Sequence, residues 1–371
     1  MKIGVLKEIK KHEYRVGMTP TCVANYKRFG HELFIQKGAG LGAGFSDAEY
    51  QQAGAIILPS PQAISDTSDM IVKVKEPLPE EYNILRENQI LFTYLHLAAA
   101  KELAEFLMNT NISCVAYETI ELDDGSLPCL QPMSEIAGRL SIQQGAKYLE
   151  KPFGGRGILL GGVPGIRRGK IAILGGGIVG TNACKIASGI GAEVIVLDIN
   201  PKRLAYLDDI FGSRITTLYS DHHTIKEVIK ESDVVIGGVL ITGKKAPKLI
   251  SRNDLKTMKN GAVIVDVSID QGGCLETSRP TTHDEPVYIE EGIVHYCVTN
   301  MPGVVALSST LALTSQTTRY GIEIANKGLM KALQGSKPLQ HGLNIFQGHC
   351  VHRNLAESLD LPYKPVQSLI E

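Results

Sequence analysis

Short apolar runs alternate with longer amphipathic stretches along the first third of the chain. Five of these runs have the length and the β-branched or aromatic content of buried strands, at 2–8, 31–38, 70–76, 90–97 and 113–120. Amphipathic stretches with the spacing of helices separate several of them, at 19–30, 46–54 and 100–111. Strands that alternate with helices predict a parallel sheet covered by helices on both faces.

A second alternation begins beyond residue 150. It is preceded by a helical stretch at 133–150 and by a Gly- and Pro-rich segment at 151–169, which is typical of a crossing between domains. Six further strands are predicted, at 170–177, 192–199, 214–220, 232–240, 261–268 and 293–301. The 371 residues are enough for two domains, each with its own core.

A glycine fingerprint follows the first strand of the second alternation. Gly175, Gly177 and Gly180 form G-x-G-x-x-G between an apolar strand and a helix predicted at 178–188. The first glycine permits a tight turn, the second lets the backbone approach a pyrophosphate, and the third allows close helix–strand packing. The helix N-terminus would favour the phosphate anion. The strand, glycines and helix come in the order that dinucleotide binding requires, which favours it over a structural glycine turn.

The acidic residue expected after such a fingerprint is also present. Asp198 ends the next predicted strand, where its carboxylate can accept hydrogen bonds from ribose hydroxyls. A carboxylate there would repel a 2′-phosphate, which favours NAD over NADP. Lys202 and Arg203 follow closely and could neutralise such a phosphate, so tolerance of NADP stays open.

The last helical pattern defines the expected domain organisation. Residues 308–335 predict one long helix or two abutting ones, and no nucleotide-binding pattern follows them. We therefore expect the chain to return to its first domain. The prediction is an α/β fold with two parallel sheets, in which a Rossmann domain at 133–302 is inserted into a discontinuous, Rossmann-like catalytic domain at 1–132 and 303–371.

Composition excludes several other classes of protein. Apolar residues make up 43% of the chain, and 38 basic residues balance 39 acidic ones, which does not favour nucleic acid or anionic membrane as a partner. Neither a membrane-spanning segment nor a signal peptide is predicted. The seven cysteines are widely spaced and never form C-x-x-C, which indicates buried core residues in a reducing cytoplasm.

Ligands bind doubly wound sheets beyond the carboxyl ends of the strands. The strand at 232–240 ends in the small residues Gly237 and Gly238, followed by Val239 and Leu240, which suits a backbone that passes close to a cofactor. The strand at 293–301 leads into Asn300, Met301 and Pro302 at the same edge.

Two aspartates mark the strand between these. Asp266 lies inside the strand at 261–268, and we expect it to bind backbone. Asp270 comes just past the strand and is the one ionisable group placed there to face a reacting carbon. Capping of a turn is an equal alternative for Asp270, because Asp shortly before Gly commonly does so.

Three basic side chains follow strand ends in the first domain. Arg15 comes after the first strand and before a helix that Thr19 and Pro20 would start; it could clamp a carboxylate or lie in a solvated, mixed-charge loop. Lys75 would share one face of its strand with Lys73, and a lysine at a buried strand end usually meets an anion. His96 closes the next strand, as either a buried core histidine or a proton carrier.

These motifs together resemble those of bacterial NAD-dependent L-alanine dehydrogenases, along essentially the whole chain. The resemblance is carried by "KEIKKHEYRVGMTP", "VKVKEP", "YLHLAAA", "GRGILLGGVPG", "LGGGIVG", "VDVSIDQGGCLETSRPTTHDEPVY" and "NMPG". Similar patterns occur in the NAD-binding component of proton-translocating transhydrogenase, and thinner ones in saccharopine dehydrogenases. The segment after Pro302 is less polar than in the family, which puts only its local contacts in doubt.

The resemblance implies a role for each candidate residue. Arg15 and Lys75 would bind the carboxylate and carbonyl of pyruvate, His96 would be the acid/base, and Asp270 the second catalytic group. The residues implied to line NAD, besides the three glycines, are Ser134, Ile178, Val179, Asp198, Arg203, Ser220, Val239, Leu240, Val267, Ser268, Ile269, Asp270, Val298, Thr299, Asn300 and Met301. Homohexamers are typical of the family, and the long C-terminal helix could pack between subunits.

The implied reaction is the NAD-dependent conversion of L-alanine to pyruvate and ammonia, and its reverse. Hydride leaves the alanine Cα, water attacks the resulting iminium, and a group that titrates near the working pH moves the protons. Two alternatives are a transhydrogenase NAD-binding component and a non-catalytic NAD-binding scaffold. The first needs membrane partners, and the second would not require Arg15, Lys75, His96 and Asp270 together.

Other histidine and charge motifs are predicted to be structural. His349 and His352 flank Cys350 without a nearby third ligand, so we expect no metal site. His222 and His223 are expected in the first turn of a helix, and Glu323 with Lys327 as an exposed pair on the long helix.

Overall fold

The computed structural model describes residues 1–239 and 246–370. Two compact units make up the chain: the first unit is Met1–Met133 with Gly303–Glu371, and the second unit is Ser134–Pro302. The described residues form these strands: β1 Lys2–Val5, β2 Glu32–Gln36, β3 Ile56–Leu58, β4 Met70–Val72, β5 Ile90–Thr93, β6 Ser113–Ala116, β7 Lys170–Leu174, β8 Glu193–Asp198, β9 Thr216–Tyr219, β10 Val234–Gly237, β11 Val263–Asp266, β12 Val287–Glu290, β13 Ile293–Tyr296, β14 Leu343–Phe346 and β15 His349–Cys350.

Helices connect these strands. The described α-helices are α1 Pro20–Arg28, α2 Asp47–Gln52, α3 Pro61–Thr67, α4 Lys101–Asn109, α5 Gln131–Tyr148, α6 Ile178–Gly189, α7 Pro201–Phe211, α8 His222–Glu231, α9 Arg252–Leu255, α10 Ala306–Lys327, α11 Leu329–Gly335, α12 Lys337–Gly342, α13 Arg353–Leu359 and α14 Gln367–Ile370.

The first unit contains a mixed sheet of eight strands in the order β3-β2-β1-β4-β5-β6-β14-β15. The strands from β3 to β6 are parallel, and β14 and β15 add antiparallel pairs at one edge. Every residue of β4, β5 and β6 is buried, as expected for parallel strands covered on both faces. The strand order reverses between β1 and β4, where open α/β sheets bind ligands.

The second unit contains a mixed sheet of seven strands in the order β12-β13-β11-β10-β7-β8-β9. All of its strands except β12 are parallel, and β12 pairs antiparallel with β13. Counting parallel strands only, both units have the order 3-2-1-4-5-6 of a Rossmann fold. The predicted fold class is confirmed, but the sheets are mixed because antiparallel strands extend one edge of each.

The helix starts follow the local sequence. Thr19 caps α1 by accepting a hydrogen bond from the backbone N–H of Cys22, and Pro20 opens the helix. Ser46 and Glu49 form a capping box at the start of α2. The pattern at 308–335 is two abutting helices, α10 and α11, which meet at Gly328 with φ 75°.

Several predicted strands end earlier than expected. β4 ends at Val72, so Lys73 and Lys75 follow the strand instead of sharing one of its faces. The backbone N–H groups of Val74 and Lys75 bond the carboxylate of Glu8, not a neighbouring strand. A side chain remote in sequence therefore takes the place of a neighbouring strand at these two N–H groups, while Lys73 and Val74 still bond the backbone of Phe92 and Tyr94.

The same correction applies to two strands of the second unit. β11 ends at Asp266 because that side chain accepts the N–H of Ser268 and caps a 3₁₀ turn at Val267–Gln271. β13 ends at Tyr296, so residues 298–301 follow the strand instead of belonging to it. The strands missed from the sequence are β3, β12 and β14.

Segment 151–169 was predicted to cross between domains, and this is wrong. It lies wholly within the second unit, and the change from one unit to the other falls inside α5.

The expectation that the cysteines are core residues is confirmed, since all seven are buried and unbridged.

Candidate active site

The three basic residues singled out in the first unit follow neighbouring strand ends. Arg15 lies in the loop after β1, Lys75 follows β4, and His96 follows β5. These strands are adjacent and parallel in the sheet, so their carboxyl ends share one edge. Ligands bind open α/β sheets at this edge.

Arg15 is a buried cation bound by the carboxylate of Glu13. Its side chain is 2% exposed, and its Nε and Nη2 donate to Oε1 and Oε2 of Glu13 at 2.7 and 2.5 Å. Its backbone N–H donates to Oε1 of Glu13 at 3.1 Å, and Nη1 lies 3.1 Å from Sδ of Met133. Burial lowers the pKa of the guanidinium, but the hydrogen bonds and charge of Glu13 outweigh this and raise it. Arg15 therefore stays charged.

A buried ion network supports the backbone of Lys75. Oε1 of Glu8 accepts the N–H groups of Val74 and Lys75 at 2.6 and 3.3 Å, and Oε2 accepts Nζ of Lys73 at 3.2 Å. Nζ of Lys73 also donates to Oε1 of Glu81 at 2.6 Å. Burial raises the pKa of Glu8, and the charge of Lys73 acts in the opposite direction. Lys75 itself is half-buried.

His96 has a left-handed backbone with φ 48° and ψ 36°. Oε1 of Glu118 accepts the N–H groups of His96 and Leu95 at 2.6 and 3.1 Å. The imidazole is parallel to the ring of Tyr94, with 5.7 Å between centroids. His96 is exposed while residues 90–95 are buried, so the alternative of a core histidine is wrong.

Tyr94 connects two of these residues. Burial raises the pKa of its phenol, and the charge of Arg15 opposes that increase, while its ring stacks on His96. The hydroxyl donates to the backbone oxygen of Cys129 at 2.5 Å. Tyr94 was not among the residues predicted from the sequence, and its only signal there is its place two residues before His96.

In the second unit the fingerprint glycines have different surroundings. Gly175 has φ 94°, and a Cβ there would lie 2.9 Å from the backbone oxygen of Gly238. A Cβ on Gly180 would lie 1.8 Å from the backbone oxygen of Gly175, whereas one on Gly177 would meet no protein atom within 4 Å. The first and third glycines therefore permit packing within the protein. The second leaves open space at the start of α6, which fits a pyrophosphate.

Asp198 and Arg203 are both bound to the glycine-rich turn. Oδ2 of Asp198 accepts the N–H of Gly176 at 2.7 Å, and Oδ1 accepts the N–H of Asn200 at 2.8 Å. Arg203 donates through Nε to the backbone oxygen of Gly176 and through Nη2 to Oγ1 of Thr181, each at 2.5 Å. Both side chains thus lie beside the predicted cofactor turn.

Other predicted cofactor residues follow strand ends of the same sheet. Ser220 follows β9, Val239 follows β10, residues 267–270 follow β11, and residues 298–301 come after β13. Leu240 lies outside the described residues. Parallel strands bring these positions to the edge that carries the glycine-rich turn.

Ser134 belongs to α5. One turn further along that helix, a Cβ on Gly138 would lie 2.2 Å from the backbone oxygen of Val179, and Nε of Arg139 donates to Oδ1 of Asn182 at 3.1 Å. α5 therefore packs against the first turns of α6, and Ser134 lies one turn before this contact.

Asp266 and Asp270 lie in different surroundings, since Asp266 is buried and Asp270 is exposed. Asp266 is fully buried and accepts the N–H groups of Ser268 and Cys274 and the hydroxyl of Ser278, at 3.1, 2.9 and 2.5 Å. Burial raises its pKa, and the hydrogen bond from Ser278 opposes this. Asp270 is exposed in the 3₁₀ turn that Asp266 caps. The expected backbone role of Asp266 is confirmed.

Two of the remaining motifs have the positions that the sequence predicts. Among the described residues, no group of three or more metal-ligating side chains converges, and no helix is long and apolar enough to cross a membrane. His222 begins α8 as predicted. Glu323 and Lys327 form the expected pair, with 2.8 Å between Oε1 and Nζ.

Two features define the class of protein. The second unit is a Rossmann unit with an intact fingerprint, and the first unit has a sheet edge with a fixed arginine, a lysine and an exposed histidine. The chain is an α/β oxidoreductase that uses a nicotinamide dinucleotide. Family models described as "Alanine dehydrogenase/PNT" match its residues 4–137 for the N-terminal domain and 141–353 for the C-terminal domain. The chain belongs to the alanine dehydrogenase/PNT family and is NAD-dependent.

Individual relatives are similar over the full length. The chain is 53% identical to "Alanine dehydrogenase" of Methanococcus maripaludis and 50% identical to "Alanine dehydrogenase 2" of Staphylococcus aureus, with 100% of each chain covered. A solved "L-alanine dehydrogenase" shares 51% identity and a TM-score of 0.95, with 97% of this chain and 99% of that one covered. A transhydrogenase from Sinorhizobium meliloti, 22% identical with a TM-score of 0.81 and 95% and 99% coverage, shares the fold.

Proposed function

We propose that this chain catalyses the NAD-dependent oxidative deamination of L-alanine to pyruvate and ammonia, and the reverse reductive amination. Identities of 53% and 50% over full length to relatives named for alanine dehydrogenation support the substrate. The observation that carries the proposal is the shared strand edge of Arg15, Lys75 and His96, in a chain that also has the dinucleotide fingerprint.

Arg15 and Lys75 bind the 2-oxo acid in this proposal. The guanidinium of Arg15 is oriented by Glu13 and stays charged, so it can bind a carboxylate without first being ordered. Lys75 is half-buried and has its backbone fixed by Glu8. Its ammonium would polarise the carbonyl oxygen as negative charge develops there.

His96 carries the protons in this proposal. NAD, when bound to the second unit, would supply the acceptor for the hydride of the alanine Cα. The exposed imidazole of His96 takes a proton from the amine or from the attacking water and returns one to the departing nitrogen. Asp270 would orient water or ammonia and stabilise the developing positive charge.

The two units divide the work accordingly. We assign the substrate residues to a catalytic domain at 1–132 and 303–371, and the cofactor residues to a Rossmann domain at 133–302. Asp198 would bind the ribose hydroxyls. Because Arg203 is already bound to the glycine-rich turn, a 2′-phosphate would meet chiefly the carboxylate, which favours NAD over NADP.

Two further properties belong to the proposal. We expect a homohexamer, as is typical of the family that the sequence resembles. We also expect a cytoplasmic enzyme, because the seven cysteines are all unbridged and thiols persist in a reducing compartment.

A substrate panel tests the proposed reaction. NADH formation should be followed with L-alanine, glycine, L-serine, L-lysine and saccharopine, and NADH consumption with pyruvate plus ammonium. We expect the highest kcat/KM with L-alanine. Tight NADH binding without turnover of alanine would instead indicate a non-catalytic NAD-binding protein.

A histidine variant tests the proposed proton carrier. His96→Ala should lower kcat by about 100-fold or more while the NADH dissociation constant stays the same, because general acid–base groups contribute about that much. His223→Ala is the matched control, since His223 is an exposed histidine on α8, 82% accessible. Equal rates in both variants would exclude His96 as the acid/base.

A further inference from the structure

His96 has a backbone conformation that its own sequence does not favour. A φ of 48° is in the left-handed region, which residues other than glycine adopt at a conformational cost. Such a conformation persists only where the surroundings impose it. His96 is also the residue to which we assign proton transfer, so the contacts that impose this conformation affect the reaction.

Glu118 restrains the peptide plane that leads into His96, while on the other side the carbonyl of His96 accepts the N–H of Ala99 at 3.3 Å. Its Oε1 accepts two successive backbone N–H groups, those of Leu95 at 3.1 Å and of His96 at 2.6 Å, and Oε2 lies 3.3 Å from the same Leu95 nitrogen. Hydrogen bonds from peptide N–H groups to a carboxylate are shorter and stronger than neutral ones. Two successive N–H groups that converge on one anion fix the peptide planes on both sides of Leu95.

The sheet places Glu118 where it can do this. β5 and β6 are parallel with Thr93 opposite Ala116 at their last paired residues, so the segments that follow the two strands leave the same edge of the sheet. Leu95 and Glu118 each lie two residues beyond these strand ends. The carboxylate therefore reaches its partners without an extended or unusual path.

The turn that carries Glu118 is itself held firmly. It lies in a 3₁₀ turn at Tyr117–Thr119 that follows β6. The hydroxyl of the buried Tyr117 donates to the backbone oxygen of Lys73 at 3.1 Å, and Oγ1 of Thr119 lies 3.1 Å from Oδ1 of Asn344. Glu118 is thus a rigid support, not a mobile surface carboxylate.

We propose that Glu118 is a positioning residue for His96: its carboxylate fixes the peptide plane that precedes this left-handed residue, and with it the position from which the imidazole is presented. This inference rests on the proposed acid/base role of His96. Since an error of about 1 Å in the position of a reacting group can cost about 100-fold in rate, loss of the support should lower turnover without changing which groups react.

Two conservative variants of Glu118 separate the effect of side-chain length from the effect of charge. Glu118→Gln keeps an oxygen at the position of Oε1, which accepts both N–H groups, and should keep kcat within about threefold of wild type. Glu118→Asp keeps the charge but shortens the side chain by one methylene, and should lower kcat by about tenfold or more. The opposite order, with Asp near wild type and Gln impaired, would show that Glu118 acts through its charge and overturn the proposal.

A double-mutant cycle shows whether the effect passes through His96. Glu118→Ala should lower kcat by about 10- to 100-fold in the wild-type background and by less than about twofold in the His96→Ala background. The NADH dissociation constant should stay constant throughout. Asp124→Ala is the matched control, because Asp124 accepts the backbone N–H of Ser126 at 2.9 Å in an exposed turn, and it should leave kcat unchanged.

The outcomes distinguish this inference from the proposed function. If His96→Ala leaves kcat intact, the acid/base role is wrong. If His96→Ala lowers kcat and Glu118→Ala does not, the positioning role of Glu118 alone is wrong. Equal losses from Glu118→Ala in both backgrounds also contradict positioning, because Glu118 would then act independently of His96.

Discussion

A carboxylate accepts the backbone N–H of each candidate residue in the first unit. Glu13 accepts the backbone N–H of Arg15, Glu8 that of Lys75, and Glu118 that of His96. Each is a hydrogen bond to an ionised acceptor, which is stronger than one between neutral groups. The three residues proposed to act on the substrate are therefore fixed through their backbones.

Lys73 neutralises part of this buried negative charge. For a single residue, we predict how the replacement of Lys73 changes the stability of the protein. Its side chain is 1% exposed and lies 3.2 Å from Glu8 and 2.6 Å from Glu81. Lys73→Met should lower the free energy of unfolding by about 3–5 kcal/mol at neutral pH, because it leaves buried carboxylates without their cation. Denaturant unfolding of wild type and variant measures the difference.

The pH dependence of that loss has a defined sign. Burial already raises the pKa of Glu8, and Lys73 opposes the rise, so the variant should have a still higher pKa at Glu8. A carboxyl group whose pKa is higher in the folded state stabilises folding as the pH falls through that pKa. The defect of Lys73→Met should therefore shrink when unfolding is measured at about pH 5 instead of about pH 7.5.

The matched control is Lys327→Met. Lys327 pairs with Glu323 at 2.8 Å, but its side chain is 49% exposed, so its loss should cost no more than about 0.5 kcal/mol. A Lys73→Met defect as small as this, or one that grows as the pH falls, would contradict the assigned role of the buried network.

At the scale of elements, the helix α6 allows a test that separates folding from cofactor binding. Gly180→Ala would bring a Cβ to 1.8 Å from a backbone oxygen, so both stability and NADH affinity should fall. Gly177→Ala meets no protein atom within 4 Å; it should fold normally and still lose about tenfold or more in NADH affinity, because its methyl group occupies the space proposed for the pyrophosphate.

Gly189 is the control within the same helix. A Cβ there also meets no atom within 4 Å, and Gly189→Ala should leave NADH affinity unchanged and stabilise the helix by about 0.5–1 kcal/mol. Thermal unfolding and NADH fluorescence titration report the two effects. If Gly177→Ala binds NADH as well as Gly189→Ala does, the phosphate is not at the start of α6.

The existence of most elements could be predicted from the sequence, and their ends could not. Buried parallel strands such as β5 and β7 are continuous apolar runs, which a local pattern reveals. β4 ends where Glu8 captures the N–H of Val74, across 66 positions of sequence. No local pattern contains such a contact, which is also why Glu8 and Glu118 were missed while Arg15, Lys75 and His96 were found. Glu13 was missed although it lies only two residues before Arg15.

At the scale of the whole molecule, the same strand order occurs in both units with different chemistry at the strand ends. The first unit carries fixed basic side chains, and the second carries glycines and Asp198. Sequence reasoning could predict this difference because strand ends are recognisable and their residue types are distinctive. The antiparallel strands β12 and β14 were not predicted, because each is a short run identified as a strand only by its partner, β13 for β12 and β6 for β14.

This division predicts that substrate and cofactor binding can be impaired separately. Arg15→Lys keeps a cation beside Glu13 but loses the fork that binds a carboxylate through two hydrogen bonds. It should raise the KM for pyruvate by about tenfold or more and leave the NADH dissociation constant within about twofold. Steady-state kinetics and fluorescence titration measure these quantities on the same preparation.

Asp198→Asn should weaken cofactor binding and leave substrate binding unchanged. It removes the negative charge beside the glycine-rich turn but keeps an oxygen that can accept the N–H of Gly176, now bonded at 2.7 Å. NADH should bind about 10-fold more weakly, since a charge-assisted bond to the ribose is lost, and the preference for NADH over NADPH should narrow. The KM for pyruvate at saturating NADH should not change. If each variant impaired both ligands equally, the two units would not divide binding as proposed, and Arg15 and Asp198 would act chiefly on stability.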